Sequence, residues 1–199
     1  MLKVALTGGI ATGKSYVLDA LRRRGIPCLD ADELAHGVTA AGTEATTAIA
    51  ARFGRGILAP DGSVDRARLG PLVFADSAAR RDLEAIVHPG VSRAITAGLR
   101  AFELTGDPPL AVVDVPLLYE TGAESAFDKV IVTACPPELQ VARLVGRGLS
   151  ESEARQRLAA QWPTSQKTAR ADFVIQTDVA FEHTDRQIDE IVKALTSLA

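Results

Sequence analysis

Gly8-Gly9-Ile10-Ala11-Thr12-Gly13-Lys14-Ser15 is the stretch that decides the fold. It fits G-x-x-x-x-G-K-[ST], and each fixed position has a physical task. Glycines let the backbone curl until successive N–H groups point into one hollow. A helix that opens at the end of the loop aims its positive end at the same hollow. The amine of Lys14 reaches the β- and γ-phosphates of a nucleoside triphosphate, and the hydroxyl of Ser15 ligates Mg²⁺. The candidate ATP-binding residues are therefore Gly8, Gly9, Ala11, Thr12, Gly13, Lys14, Ser15 and Tyr16. The backbone N–H groups of residues 11–16 form the expected cradle.

The flanks supply the context such a loop needs. Residues 2–6 are a short apolar run that ends in glycines, which predicts a buried parallel strand. Residues 15–24 predict a helix with Val17, Leu18 and Leu21 on one face and Gly25 as its stop. Further strands are predicted at residues 26–29, 110–113, 130–134 and 173–175. A last helix over 181–198 carries Ile188, Ile191, Val192, Leu195 and Leu198 at helical spacing. Strands alternating with helices imply an α/β fold: a three-layer P-loop core with a five-stranded parallel sheet covered on both faces.

Two gaps exceed what a crossover needs. Residues 31–108 show helical periodicity and read as an inserted, acceptor-binding helical region. Residues 136–170 form a second helical stretch holding Arg143, Arg147, Arg155, Arg157, Lys167 and Arg170, and read as a lid. Inside it, Ser150-Glu151-Ser152-Glu153 has the form of a capping box. No linker divides the chain, so residues 1–199 read as one P-loop kinase domain with these two subregions.

Composition narrows the partners. A chain of 199 residues that is 47% hydrophobic can bury one substantial core. Its net charge of −3 provides no field to hold nucleic acid by its phosphates. Cys28 and Cys135 lie in or beside apolar runs and read as buried free thiols. With three histidines, no transition-metal spacing is present. The N-terminus lacks the pattern of a secretory signal or a membrane span, so a cytoplasmic monomer away from membranes is expected. Its partners are small molecules.

Three classes of P-loop protein compete. A GTPase would carry an N-K-x-D guanine reader after a late strand, but this chain has Thr133-Ala134-Cys135-Pro136 there. An ATPase motor places a glutamate after the aspartate of the third strand to activate water. Here Val112-Val113-Asp114-Val115-Pro116 has valine at that place. A kinase needs no such glutamate and benefits from excluding water. Strand carboxyl ends gather beside the loop in these sheets, which makes Asp114 a candidate metal ligand. The same rule makes Asp32, after strand two, a candidate base for an acceptor hydroxyl. Asp32 also reads as a helix N-cap.

Several segments together resemble one family. Leu6-Thr7-Gly8-Gly9-Ile10, Gly13-Lys14-Ser15, Asp30-Ala31-Asp32, Leu83-Glu84-Ala85-Ile86-Val87-His88-Pro89 and Val115-Pro116-Leu117-Leu118-Tyr119-Glu120 are similar to the dephospho-coenzyme A kinases. Arg143 with Arg147, Ala160-Gln161 and Ala171-Asp172-Phe173-Val174-Ile175 continue the likeness in order. The resemblance implies ATP-dependent phosphorylation of the ribose 3′-hydroxyl of dephospho-CoA, the last step of coenzyme A synthesis. It implies that Asp32 is the base and that Lys14 and Arg143 are catalytic. It places Arg147 on ATP phosphates, and His88 and Glu120 near the acceptor. The residues alone leave another nucleoside monophosphate or small-metabolite kinase open, and a nucleotide-binding regulator behind it. His88 before Pro89 also reads as a turn at a helix junction, and Glu120 as an ion-pair carboxylate. The chain departs from the family at Ala11, where glycine is usual, at Tyr16, where threonine is usual, and at Gln176-Thr177.

Overall fold

A computed structural model describes residues 1–199. The elements in chain order are β1 (Leu2–Gly8), α1 (Lys14–Arg23), β2 (Cys28–Asp30), α2 (Ala31–Val38), α3 (Glu44–Phe53), α4 (Arg66–Ala75) and α5 (Ser77–Gly106). They continue with β3 (Leu110–Asp114), β4 (Lys129–Ala134), α6 (Pro137–Val145), α7 (Glu151–Ala159), α8 (Thr164–Thr168), β5 (Phe173–Gln176) and α9 (Phe181–Thr196). No helix is long and apolar enough to cross a membrane. Two compact units can be distinguished: Met1–Leu29 with Leu99–Ala199, and Asp30–Gly98.

The first unit is the predicted three-layer core. Its sheet has five strands in the order β2-β3-β1-β4-β5, and β1 pairs in parallel with both β3 and β4. Every residue of β3 is buried, and so are residues 4–8 of β1, as strands covered on both faces require. On one face Val4, Leu6, Val112, Ile131 and Ile175 pack with Val17, Leu18 and Leu21 of α1 and Ile188 and Leu195 of α9. Burying one such side chain stabilises the fold by about 1.5–3 kcal/mol. On the other face Ala5, Val130 and Val132 meet Leu118 and Tyr119. Trp162 lies nearly parallel to Tyr119, their ring centroids 6.1 Å apart.

All five predicted strands form, with bounds that move by at most two residues. The second starts at Cys28, not at residue 26, because Pro27 has no N–H to give to a ladder. Its carbonyl still accepts from Val112 N at 2.9 Å. The capping box also forms: Ser150 Oγ accepts from Glu153 N, and Glu153 Oε2 accepts from Ser150 N at 2.8 Å.

The second unit is helical. Ile49, Ile57 and Leu69 are its buried centre, with Leu83, Ile86 and Val87 packed against them. Thr43 and Asp65 cap α3 and α4 through their side chains. No helix junction occurs at His88 and Pro89: α5 runs for thirty residues through the proline. Directly after it, Gly90 faces Val38 so closely that an added Cβ would stand 2.7 Å from Val38 Cγ1. The proline is therefore not a stop, and the glycine beside it admits the α2 side chain.

Candidate active site

The phosphate loop joins the central strand to α1. The register pairs Leu6 with Asp114 on one side of β1 and Gly8 with Thr133 on the other. The loop thus emerges at the carboxyl ends of β1, β3 and β4, the usual ligand side of an open parallel sheet. Gly13 has φ 87° and immediately precedes α1, a conformation that suits glycine. Ala11 also has positive φ, 59°, which costs a non-glycine residue roughly 1 kcal/mol. Thr12 is buried, and its hydroxyl bridges the Gly9 carbonyl at 2.8 Å and Thr133 Oγ1 at 2.7 Å.

Lys14 Nζ donates to both carboxylate oxygens of Asp114, at 2.6 and 2.5 Å. Ser15 is exposed at the start of α1. A buried carboxylate and a hydroxyl from adjoining positions are hard oxygen donors. They suit Mg²⁺, which takes its other ligands from phosphates and water. No group of three or more His, Cys, Asp or Glu side chains gathers anywhere in the chain. Val115, in the position of a motor's water-activating glutamate, packs against the second core cluster. Tyr16 donates to Asp185 Oδ2 at 3.1 Å, with its ring 4.7 Å from Phe181. Desolvation, then the bond to Asp185, raises the pKa of its phenol.

Asp32 is exposed at the second position of α2. The capping role belongs to Asp30, whose Oδ1 accepts from Asp32 N at 2.8 Å and Glu33 N at 3.2 Å. In the same unit His88 borders a cavity of about 290 Å³ with apolar walls that include Ile49, Leu69 and Val87. Arg66 and Glu84 also line it.

Arg143 and Arg147 have different surroundings. Arg143 Nη1 lies 3.0 Å from the Ala11 carbonyl, and Nη2 lies 2.6 Å from the Thr177 carbonyl. In this conformation it braces the phosphate loop against the loop after β5. Arg147, one turn on, is exposed. Glu120 forms an ion pair at 2.8 Å with Lys167, which is fully buried, and its Oε1 also accepts from Trp162 N at 3.0 Å. Sequence reasoning missed the burial of Lys167, grouped there with the arginines of the lid stretch, and the contact of Thr177, whose hydroxyl donates to the Thr12 carbonyl at 2.6 Å. It also missed Gln140. A glutamine between apolar neighbours on an amphipathic helix was the available signal, because a buried amide needs partners.

A sequence profile of the dephospho-CoA kinase family matches residues 2–182. The chain belongs to this family. It is 44% identical over 198 residues to a dephospho-CoA kinase of Geobacillus kaustophilus, covering 99% of this chain and 98% of the relative. The fold superposes on the dephospho-CoA kinase of Campylobacter jejuni with a TM-score of 0.74 at 26% identity, over 98% and 97% of the two chains. A Thermus thermophilus protein designated TT1252 gives 0.85 at 33%, over 97% and 96%. Kinase chemistry on a P-loop core, expected from the missing guanine reader and the valine after Asp114, agrees with this membership.

Proposed function

We propose that the protein transfers the γ-phosphoryl group of ATP to the ribose 3′-hydroxyl of dephospho-CoA, giving coenzyme A. The observation that carries the reading is the meeting of Lys14 with Asp114 beside the phosphate loop, in a chain of this family. Backbone N–H groups of residues 11–16 hold the phosphates, and the Lys14 ammonium offsets charge on the transferring group. Mg²⁺, held by Ser15 and Asp114, would neutralise charge on the β- and γ-phosphates. Asp32 accepts the proton of the acceptor hydroxyl, a role supported by its exposure and by Asp30 already capping the helix. His88 and the apolar cavity beside it receive the acceptor side, and Glu120 orients an acceptor polar group. Residues 136–170 act as a lid, with Arg143 and Arg147 as the phosphate-facing arginines of the closed form. The protein works as a cytoplasmic monomer.

The test is incubation with ATP and Mg²⁺ beside dephospho-CoA, AMP, CMP and shikimate, read by mass spectrometry. The expected result is gain of one phosphoryl group by dephospho-CoA alone. Gain by AMP, CMP or shikimate instead would assign a different acceptor to the same core.

A further inference from the structure

The outer side of the phosphate loop is bonded by side chains from one short stretch of chain. Gln161 Oε1 accepts from Ile10 N at 2.9 Å, and Gln140 Nε2 donates to Ile10 O at 2.6 Å. One peptide unit further on, Arg143 holds the Ala11 carbonyl at 3.0 Å. We propose that Gln140 and Gln161 are positioning residues for phosphoryl transfer: they grip Ile10 on both sides and turn the following N–H, that of Ala11, toward the phosphates. The proposal rests on reading the loop as the ATP site.

The chemistry of the two contacts is unambiguous. A backbone N–H only donates and a backbone carbonyl only accepts, so the orientation of each glutamine amide is fixed by its partner. A trans peptide points its C=O and the next N–H in opposite directions. Holding the Ile10 carbonyl outward therefore holds the Ala11 N–H inward. It also removes the Ile10 N–H from the set of phosphate donors, because Gln161 occupies it.

Two further observations give the grip a reason. Ala11 sits at φ 59°, and such a residue persists only where its surroundings fix it. Gln140 constrains the peptide before Ala11, and Arg143 constrains the one after. Gln140 is also 3% exposed on the apolar side of α6 beside Val141 and Leu144. A buried amide there is unfavourable unless it is bonded. The contact has no slack: a Cβ on Gly9 would stand 2.7 Å from both Gln140 Nε2 and Thr164 Oγ1.

The two glutamines have opposite hydrogen-bond roles, which makes them separable. Gln161→Glu keeps an acceptor for Ile10 N. Gln140→Glu sets a carboxylate oxygen against the Ile10 carbonyl. Both variants add the same charge within one residue of the same loop, so repulsion of ATP is common to both. Steady-state kinetics should show kcat/KM for ATP roughly 10- to 100-fold lower in Gln140→Glu than in Gln161→Glu, with KM for dephospho-CoA unchanged. Activity of Gln140→Glu should recover as pH falls, because a protonated carboxyl donates again. Equal kinetics in the two folded variants, or a change confined to KM for dephospho-CoA, would overturn the proposal. Hydrogen exchange of the wild-type protein needs no variant and decides if Gln140→Glu does not fold. Ile10 N–H should be protected with and without MgADP, as should Thr12 N–H, which donates to the Gly9 carbonyl at 3.2 Å, while the N–H groups of Ala11 and of residues 13–16 gain protection only with it. Free exchange at Ile10 in the wild type would equally overturn the assignment.

Discussion

Lys14, the first residue of α1, meets Asp114, the last residue of β3: the ammonium reaches both carboxylate oxygens, and Asp114 is only 2% exposed. The contact holds the lysine extended beside the loop. Lys14→Ala removes a charge that acts on the transferring phosphoryl group, and single preorganised groups of this kind are worth about 10²–10³-fold in kcat. Turnover should fall by that factor while circular dichroism shows a folded protein. Asp114→Asn keeps the shape and loses the charge, so the Mg²⁺ concentration for half-maximal rate should rise. Near-normal turnover in folded Lys14→Ala would remove the catalytic role from this loop.

Of Asp30 and Asp32 only one caps the helix, and the sequence cannot tell which. Asp30 caps α2 and Asp32 does not. Asp30→Ala should therefore lower stability by about 1 kcal/mol, as loss of an N-cap usually does. Asp32→Asn should leave the denaturation midpoint nearly unchanged and reduce turnover with dephospho-CoA about 10²–10⁴-fold, the range for a positioned base. ATP binding should persist. A stability loss in Asp32→Asn with turnover within a few-fold of wild type would reverse the assignment.

The parts that were readable in the sequence are those where chemistry constrains residue type at fixed spacing. Glycine, lysine and serine in the loop had no substitutes for their tasks, and strands buried on both faces betray themselves as apolar runs. The cap at Asp30 was not readable because both aspartates satisfy the same rule and only backbone direction chooses. Arg143 and Arg147 differ by one helical turn, yet one braces the loop and the other is exposed; packing against Ala11 and Thr177 decides that. The thirty-residue α5 was hidden by Pro89, which ordinarily ends a helix.

Cys28 gives a pH dependence with a definite sign. Burial, the largest cause, raises its thiol from the ordinary 9.0 to about 11. The folded protein therefore favours the neutral thiol. This contribution to stability is fully present below pH 9.0 and is lost as pH rises toward about 11. Cys135 is shifted in the same direction by burial, so wild type must be compared with Cys28→Ala. Urea midpoints should fall more steeply for wild type than for Cys28→Ala between these two pH values. Iodoacetamide should alkylate Cys28 in the native protein at mildly alkaline pH far more slowly than in the unfolded chain. Parallel stability curves for the two proteins would show that the thiol is not shielded.

The last prediction separates the two arginines of α6 and the turn after it. Arg143 binds the Ala11 and Thr177 carbonyls, so its planar fork has a structural task as well as any role toward phosphate. Lysine is a point donor and cannot span both carbonyls. Arg143→Lys should reduce both the melting temperature and kcat/KM for ATP. Arg147 is exposed, so Arg147→Ala should leave the melting temperature unchanged and weaken turnover only if its side chain meets phosphates in a closed form. Hydrogen exchange makes the same distinction along the chain. Gln140 and Arg143 fasten α6 to the loop, so hydrogen exchange there should already be slow. Slowing upon addition of a non-hydrolysable ATP analogue with dephospho-CoA should concentrate in residues 146–160. Exchange that does not change there, together with wild-type kinetics in Arg147→Ala, would leave that segment as a solvated surface with ordinary ion pairs, such as Arg155 with Glu151, which are worth little.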